Sequence, residues 1–166
     1  MKAALRSDVK KVGVVTIPEP VIKDNEVLVK VDTVGICGSD INRIVEDIPK
    51  WNSIVLGHEF SGTVVKTGSE VKSVAVGSRV SAAPLMPCHV CDQCKQGLFS
   101  LCKSYSFIGS RVQGAMAEFV AVPEVNIVRI PDAVSYEEAA FLEPITVCLH
   151  PILPLGNMLG KDILIS

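Results

Sequence analysis

The run from Glu26 to Val34, followed at once by Gly35-Ile36-Cys37-Gly38-Ser39-Asp40, constrains this chain more than any other stretch. Apolar and polar side chains alternate along it with nearly strict period two, which predicts a strand with one buried face. That strand delivers Cys37 to a turn, and the glycines on either side let the backbone bend sharply and approach a bound ion. A thiol, a hydroxyl and a carboxylate therefore meet at one strand end. Gly57-His58-Glu59 adds an imidazole nitrogen and a second carboxylate, and Glu143-Pro144 can supply a further oxygen. Such a mixed sulfur, nitrogen and oxygen set suits tetrahedral Zn²⁺, and a sphere left to be completed by a small molecule is of the open kind.

Around this stretch the chain reads as short strands separated by turns. Met1 to Leu5, Val12 to Ile17, Ser61 to Lys66, Ala117 to Pro123 and Asn126 to Ile130 are strand-like, and Val74 to Val80 reads as a turn feeding another. Asn42 to Trp51 is polar and reads as irregular. Glycine-rich turns between short strands predict a mainly β fold built on a small barrel. The period becomes helical at Ser135-Tyr136-Glu137-Glu138, a capping-box pattern ahead of Ala139 to Leu142. Pro144 is placed to open a second helix through Leu149, and Pro151 and Pro154 to kink or end it. Ile163 to Ser166 reads as a further apolar strand.

At 166 residues, 48% of them hydrophobic, the chain can bury one good core. A net charge of −2 with interspersed signs offers no basic stripe for nucleic acid and no polybasic patch for membranes. The N-terminal residues lack the form of a signal peptide, and no apolar run approaches the roughly 20 residues of a membrane span. A cytoplasmic location is expected, where cysteines are thiols or metal ligands rather than disulfides.

Four of the six cysteines are Cys88, Cys91, Cys94 and Cys102. Four thiolates at this spacing can wrap one ion in a closed tetrahedron, so a structural Zn²⁺ is expected. An iron–sulfur cluster has a related opening pattern, but its fourth cysteine follows after three residues and precedes proline. Here seven residues intervene and Lys103 follows.

Together these motifs resemble the N-terminal, GroES-like catalytic domain of the zinc-dependent medium-chain dehydrogenases, and the runs Phe107 to Arg111 and Glu143 to Val147 resemble its polyol dehydrogenase branch. The resemblance implies a GroES-like barrel over residues 1–155, a zinc lobe at about 86–105, and residues 156–166 as the start of a Rossmann domain that the chain does not complete. It implies oxidation of a secondary alcohol of a polyol or polyol phosphate to a ketone, with hydride passing to NAD. Cys37, His58 and Glu143 are then ligands of a catalytic zinc, with Glu59 binding directly or through water, and Ser39 takes the alcohol proton. Asn42 stands where relatives often carry a relay histidine, and an amide cannot titrate. The family is commonly dimeric or tetrameric. No Gly-x-Gly-x-x-Gly turn occurs in these residues, so NAD rests on the resemblance, and the 166 residues alone are not expected to turn over.

Taken singly, each residue has a plainer role. A lone cysteine packs as a small hydrophobe and a lone histidine is a satisfied core side chain; the combination outweighs both. Asp40 is expected to orient the site by hydrogen bonds, His89 to be exposed, and Cys148 and His150 to pack. Arg111, Lys103 and Arg43 are candidates for a substrate phosphate, Arg111 first among them. Two other readings stand beside the leading one: another dehydrogenase of the sorbitol, threonine or butanediol type, and a non-enzymatic zinc-binding interaction module.

Overall fold

A computed structural model describes residues 1–48, 51–157, 160–162 and 164. Its organising strand is β3 (Glu26–Val34), which lies between two antiparallel partners introduced below. The first two strands, β1 (Lys2–Asp8) and β2 (Lys11–Thr16), form a hairpin, and β4 (Ile54–Val55) joins β1 on its other side. The larger sheet contains β5 (Phe60–Thr67), β6 (Arg79–Ala82), β9 (Phe119–Pro123) and β10 (Ile127–Arg129), in the order β10-β6-β5-β3-β9. A small pair, β7 (Leu85–Met86) and β8 (Ser106–Phe107), lies between β6 and β9 in sequence. Hydrogen bonds from Ala4 N to Met116 O at 2.7 Å and from Glu118 N to Lys2 O at 3.0 Å bring the two larger sheets together. The mainly β fold read from the sequence is the fold observed.

The core is drawn mainly from the larger sheet. Val27 and Val29 from β3 pack with Phe60, Val64, Val80, Ile108, Val120 and Val122. The strict alternation expected for β3 holds only in its second half: Glu26, Val27, Leu28 and Val29 are all buried. Helix α3, described below, lies against β3 and β5, with Tyr136 bonded to Ser61 and Thr63 of β5. One glycine is obligatory in this sheet, because a side chain at Gly62 would collide with the Lys30 carbonyl of the neighbouring strand.

Helices appear where the chain leaves the sheets. Helix α1 (Gly38–Val45) takes in residues 42–45, the beginning of the segment expected to be irregular. Ile41, Ile44 and Val45 recur along it at helical spacing, Asp40 accepts from the Cys37 amide at 3.2 Å, as an N3 acid does, and Arg43 lies in its last turn, complementing the helix dipole. The far end is held by Arg6 of β1, a fully buried guanidinium that donates to the Glu46 carbonyl at 2.9 Å and to Asn52 Oδ1. Helix α2 (Asp92–Lys95) is a single turn within the cysteine-rich segment.

Helix α3 (Tyr136–Ala140) starts with the expected capping box: Ser135 Oγ accepts from Glu138 N at 3.1 Å while Ser135 N donates to Glu138 Oε2 at 2.8 Å. Helix α4 (Leu142–Ile152) begins earlier than expected, taking Pro144 into its first turn, where no amide donor is required. Cys148 and His150 on α4 are exposed, which corrects the expectation that they pack. The strand expected over Ile163–Ser166 lies outside the described residues apart from Leu164. Among the described residues no helix is long and apolar enough to cross a membrane.

Candidate functional site

Among the described residues, two separate groups of side chains could hold a metal ion. In the first, the sulfurs of Cys88, Cys91, Cys94 and Cys102 all lie within 4.8 Å of one another. Helix α2 brings Cys91 Sγ to 3.5 Å from Cys94 Sγ, and Cys88 Sγ lies 3.9 Å from Cys94 Sγ. A 3₁₀ turn at Phe99–Leu101 then folds Cys102 back, where its sulfur accepts from Cys88 N at 3.3 Å. The left-handed backbone of His89, with φ of 58°, helps the loop reverse, and its side chain is exposed as expected.

The thiols are electrically unequal. Amide donation from Cys94 and Lys103 lowers the Cys91 thiol to about 6, whereas burial and neighbouring thiols push Cys94 up to about 12. The Cys88 amide lowers Cys102. Four sulfurs this close become thiolates together only against a cation.

The second group is assembled from distant parts of the sequence. Ligand atoms of Cys37, His58 and Glu59 all lie within 4.8 Å of one another. Cys37 stands at the N-cap of α1, just beyond β3, whereas His58 and Glu59 immediately precede β5. The two chain segments are joined by the 2.6 Å hydrogen bond from Gly35 N to Glu59 O. Gly35 is glycine for a local reason: a Cβ there would strike Glu59 Oε2. Gly57 adopts φ of 91°, a left-handed turn that presents His58.

His58 is 3% exposed and meets Phe107 edge to face, with ring centroids 5.5 Å apart. Its Nδ1 lies 3.5 Å from Asp40 Oδ1 and makes no hydrogen bond within the described residues. Asp40 is fully buried and spans both halves of the site, accepting from the Cys37 amide at 3.2 Å and the Gly57 amide at 3.4 Å. Burial raises the Asp40 carboxyl, but His58 and the two amides outweigh it and hold it below the ordinary carboxylate range. This is the orienting geometry expected of Asp40.

Glu143, at the start of α4, does not join the close set. Its carboxyl is raised by burial and by the charges of Glu59 and Asp40 while His58 pulls the other way, so it stands within the electrostatic reach of the site. Glu59 also lines a cavity of about 280 Å³ with Gly35, Glu137, Phe141 and Pro144. Ser39 lies in the first turn of α1, where its Oγ accepts from Arg43 Nη1 at 2.7 Å. Arg111 is turned elsewhere: its guanidinium stacks 3.8 Å from the Tyr105 ring and donates to the Tyr105 carbonyl. Phe107 escaped sequence reasoning because its contact with His58 is purely tertiary. Arg43 was legible only as a cation, although its four-residue spacing from Ser39 is the helical signal of their contact.

The family described as alcohol dehydrogenase GroES-like domain matches residues 23–132. Galactitol 1-phosphate 5-dehydrogenase of Escherichia coli K12 is 40% identical over 157 residues, covering 92% of this chain and 45% of that protein. Sorbitol dehydrogenase of Bacillus subtilis is 38% identical over 155 residues, covering 90% and 44%. The crystal structure of galactitol-1-phosphate dehydrogenase from Escherichia coli superposes with a TM-score of 0.87 at 41% identity, covering 90% of this chain and 44% of that one. The chain thus spans less than half the length of these relatives.

Proposed function

The chain belongs to the alcohol dehydrogenase GroES-like domain family, and from that premise we propose that it is the zinc-holding catalytic portion of an NAD-linked dehydrogenase. The substrate class is a polyol or polyol phosphate resembling galactitol 1-phosphate, oxidised at a secondary alcohol to the ketone. The observation that carries this reading is the convergence of a thiol, an imidazole and a carboxylate within 4.8 Å, separate from the four-cysteine cluster. A buried His58 imidazole, whose Nδ1 faces Asp40, and a half-buried Cys37 fit a zinc ion of the open type.

In this reading Cys37, His58 and Glu143 would hold the catalytic zinc, with Glu59 beside them binding directly or through water, while Cys88, Cys91, Cys94 and Cys102 would hold the structural one. The bound ion supplies Lewis-acid polarisation of the substrate oxygen. Ser39 Oγ takes the alcohol proton in the first step of its removal. Asn42 cannot carry that proton onward, and the Glu59 carboxylate, which borders both the ligand group and the 280 Å³ cavity, offers it an exit. Asp40 holds Cys37 and His58 in mutual register. Residues 1–155 are the catalytic domain, with the lobe at about 86–105, and residues 156–166 lead toward the part that holds the nicotinamide cofactor. A cytoplasmic homodimer or homotetramer belongs to the same proposal.

Elemental analysis by mass spectrometry tests the reading. The native chain is expected to carry about two zinc ions, and Cys37→Ser and Cys91→Ser about one each. A native chain with a single ion, lost only in Cys91→Ser, would leave a zinc-binding interaction module in place of an enzyme. Phosphorylated polyols assayed beside free ones then test the substrate class.

A further inference from the structure

Arg43 has no task in the mechanism above, yet it is largely buried beside the site, its side chain 16% exposed. It donates to Ser39 Oγ at 2.7 Å and approaches Asp40 Oδ1 at 3.4 Å. Its Cζ stands 5.9 Å from the centre of the Trp51 ring. Its Nε is buried and has no hydrogen-bond partner among the described residues. A guanidinium has only donors, so Ser39 Oγ must be the acceptor in this pair. One serine lone pair is thereby filled, and the Ser39 hydrogen points away from Arg43. No hydrogen bond among the described residues uses that hydrogen.

We propose that Arg43 is a positioning residue for Ser39. Its guanidinium fixes the hydroxyl rotor, eases release of the Ser39 proton as the alcohol proton is taken up, and strengthens the resulting Ser39 O–H as a donor to the oxygen then held by the Cys37, His58 and Glu59 group. This rests on the zinc reading of that group. The cause is polarisation: a hydroxyl that accepts from a cation gives up electron density and becomes the better donor, and hydrogen bonds assisted by charge are the strong ones. The contact is specific to arginine, because the planar fork reaches Ser39 and Asp40 together, whereas a lysine offers one flexible point charge. A role confined to holding the helix would also be served by the Asp40 contact alone. The bond to Ser39 is what links this cation to the chemistry.

The test uses the chain with zinc in the four-cysteine lobe and Co²⁺ in the open site, titrated with acetate and, separately, with imidazole while the cobalt absorption is followed. Acetate presents an oxygen that can accept from Ser39. Imidazole bound through nitrogen has no acceptor left to offer. Arg43→Met is expected to weaken acetate about tenfold, the size of a lost charge-assisted hydrogen bond, and to leave imidazole unchanged. Ser39→Ala should do the same, Arg43→Met should add nothing in the Ser39→Ala background, and Arg43→Lys should recover part of the loss. Unchanged acetate binding in Arg43→Met overturns the proposal. So does an equal loss of imidazole, the mark of a structural role, or a loss that persists without Ser39, the mark of direct action on the anion. If Arg43→Met does not fold, Arg43→Lys with Ser39→Ala completes the same cycle. A native chain lacking the cysteine-to-cobalt charge-transfer band at Cys37 overturns the zinc reading and this proposal together, which separates that failure from the others.

Discussion

The four-cysteine lobe and the Cys37–His58–Glu59 group are both candidate zinc sites, but they are built in opposite ways. The lobe draws all its ligands from one short loop and closes them with a single helical turn and a 3₁₀ turn. The other group joins the end of β3 to the start of β5, and the buried Asp40 carboxylate binds the two segments to each other. The lobe therefore depends on its ion for order, whereas the open site depends on the barrel. A site whose geometry the barrel supplies can leave one position free for a substrate without losing its shape.

The largest expected effect separates the two directly. Cys94→Ser removes a buried thiol that has a strongly raised proton affinity, and structural zinc contributes on the order of 10 kcal/mol to the order of small sites. Limited proteolysis is expected to cut within residues 87–105 of this variant while the barrel resists and the Cys37 site keeps its metal. Loss of both ions together would break the proposed independence of the two regions.

Asp40→Ala should produce the converse. Removing a buried carboxylate that faces Arg43 and His58 costs about 3–5 kcal/mol, read as a lower denaturation midpoint, and the open site should lose its metal while the lobe retains it. Next in size is Gly35→Ala, whose added methyl displaces Glu59 Oε2. A cost of about 1–3 kcal/mol is expected, accompanied by weaker Co²⁺ binding at the open site alone. Ser135→Ala touches neither metal group and should cost about 1 kcal/mol through the lost cap, with both ions kept.

The smallest effect is a pH dependence remote from both groups. Glu124 accepts from the Lys72 amide at 2.6 Å and from the Ser73 amide, and these bonds lower its carboxyl below the ordinary value of 4.5. A carboxyl lowered on folding adds stability above its unfolded value, and that contribution disappears as pH falls through the folded one. Glu124→Gln should therefore flatten the decline in melting temperature below about pH 4.5 while leaving metal content untouched.

The same contrast governs what could be read from the chain itself. The lobe is legible because its ligands are close in sequence, and spacing is nearly geometry there. Ser135 and Glu138 are legible for the same reason, since a cap is a four-residue event. At the open site the residue types point to a metal, but the relation between Cys37 and His58 exists only after β3 and β5 have paired. Helix α1 was hidden because its eight residues include Ile41, Ile44 and Val45, which favour strands, and its stability comes from Arg6 and Asp40 rather than from propensity. Burial of both faces at the start of β3 was hidden because it arises from tertiary contacts that the strand's own alternation does not encode.

The pairing of Leu85 with Phe107 and of Met86 with Ser106 has a consequence for how this architecture can be varied. The lobe leaves and re-enters the barrel at one point, as a cassette on a two-rung stem. A designer could exchange the cassette for a short metal-free hairpin loop and keep the barrel's path unchanged. The stem itself is not exchangeable on the same terms, because Phe107 at its foot is the ring that steadies His58.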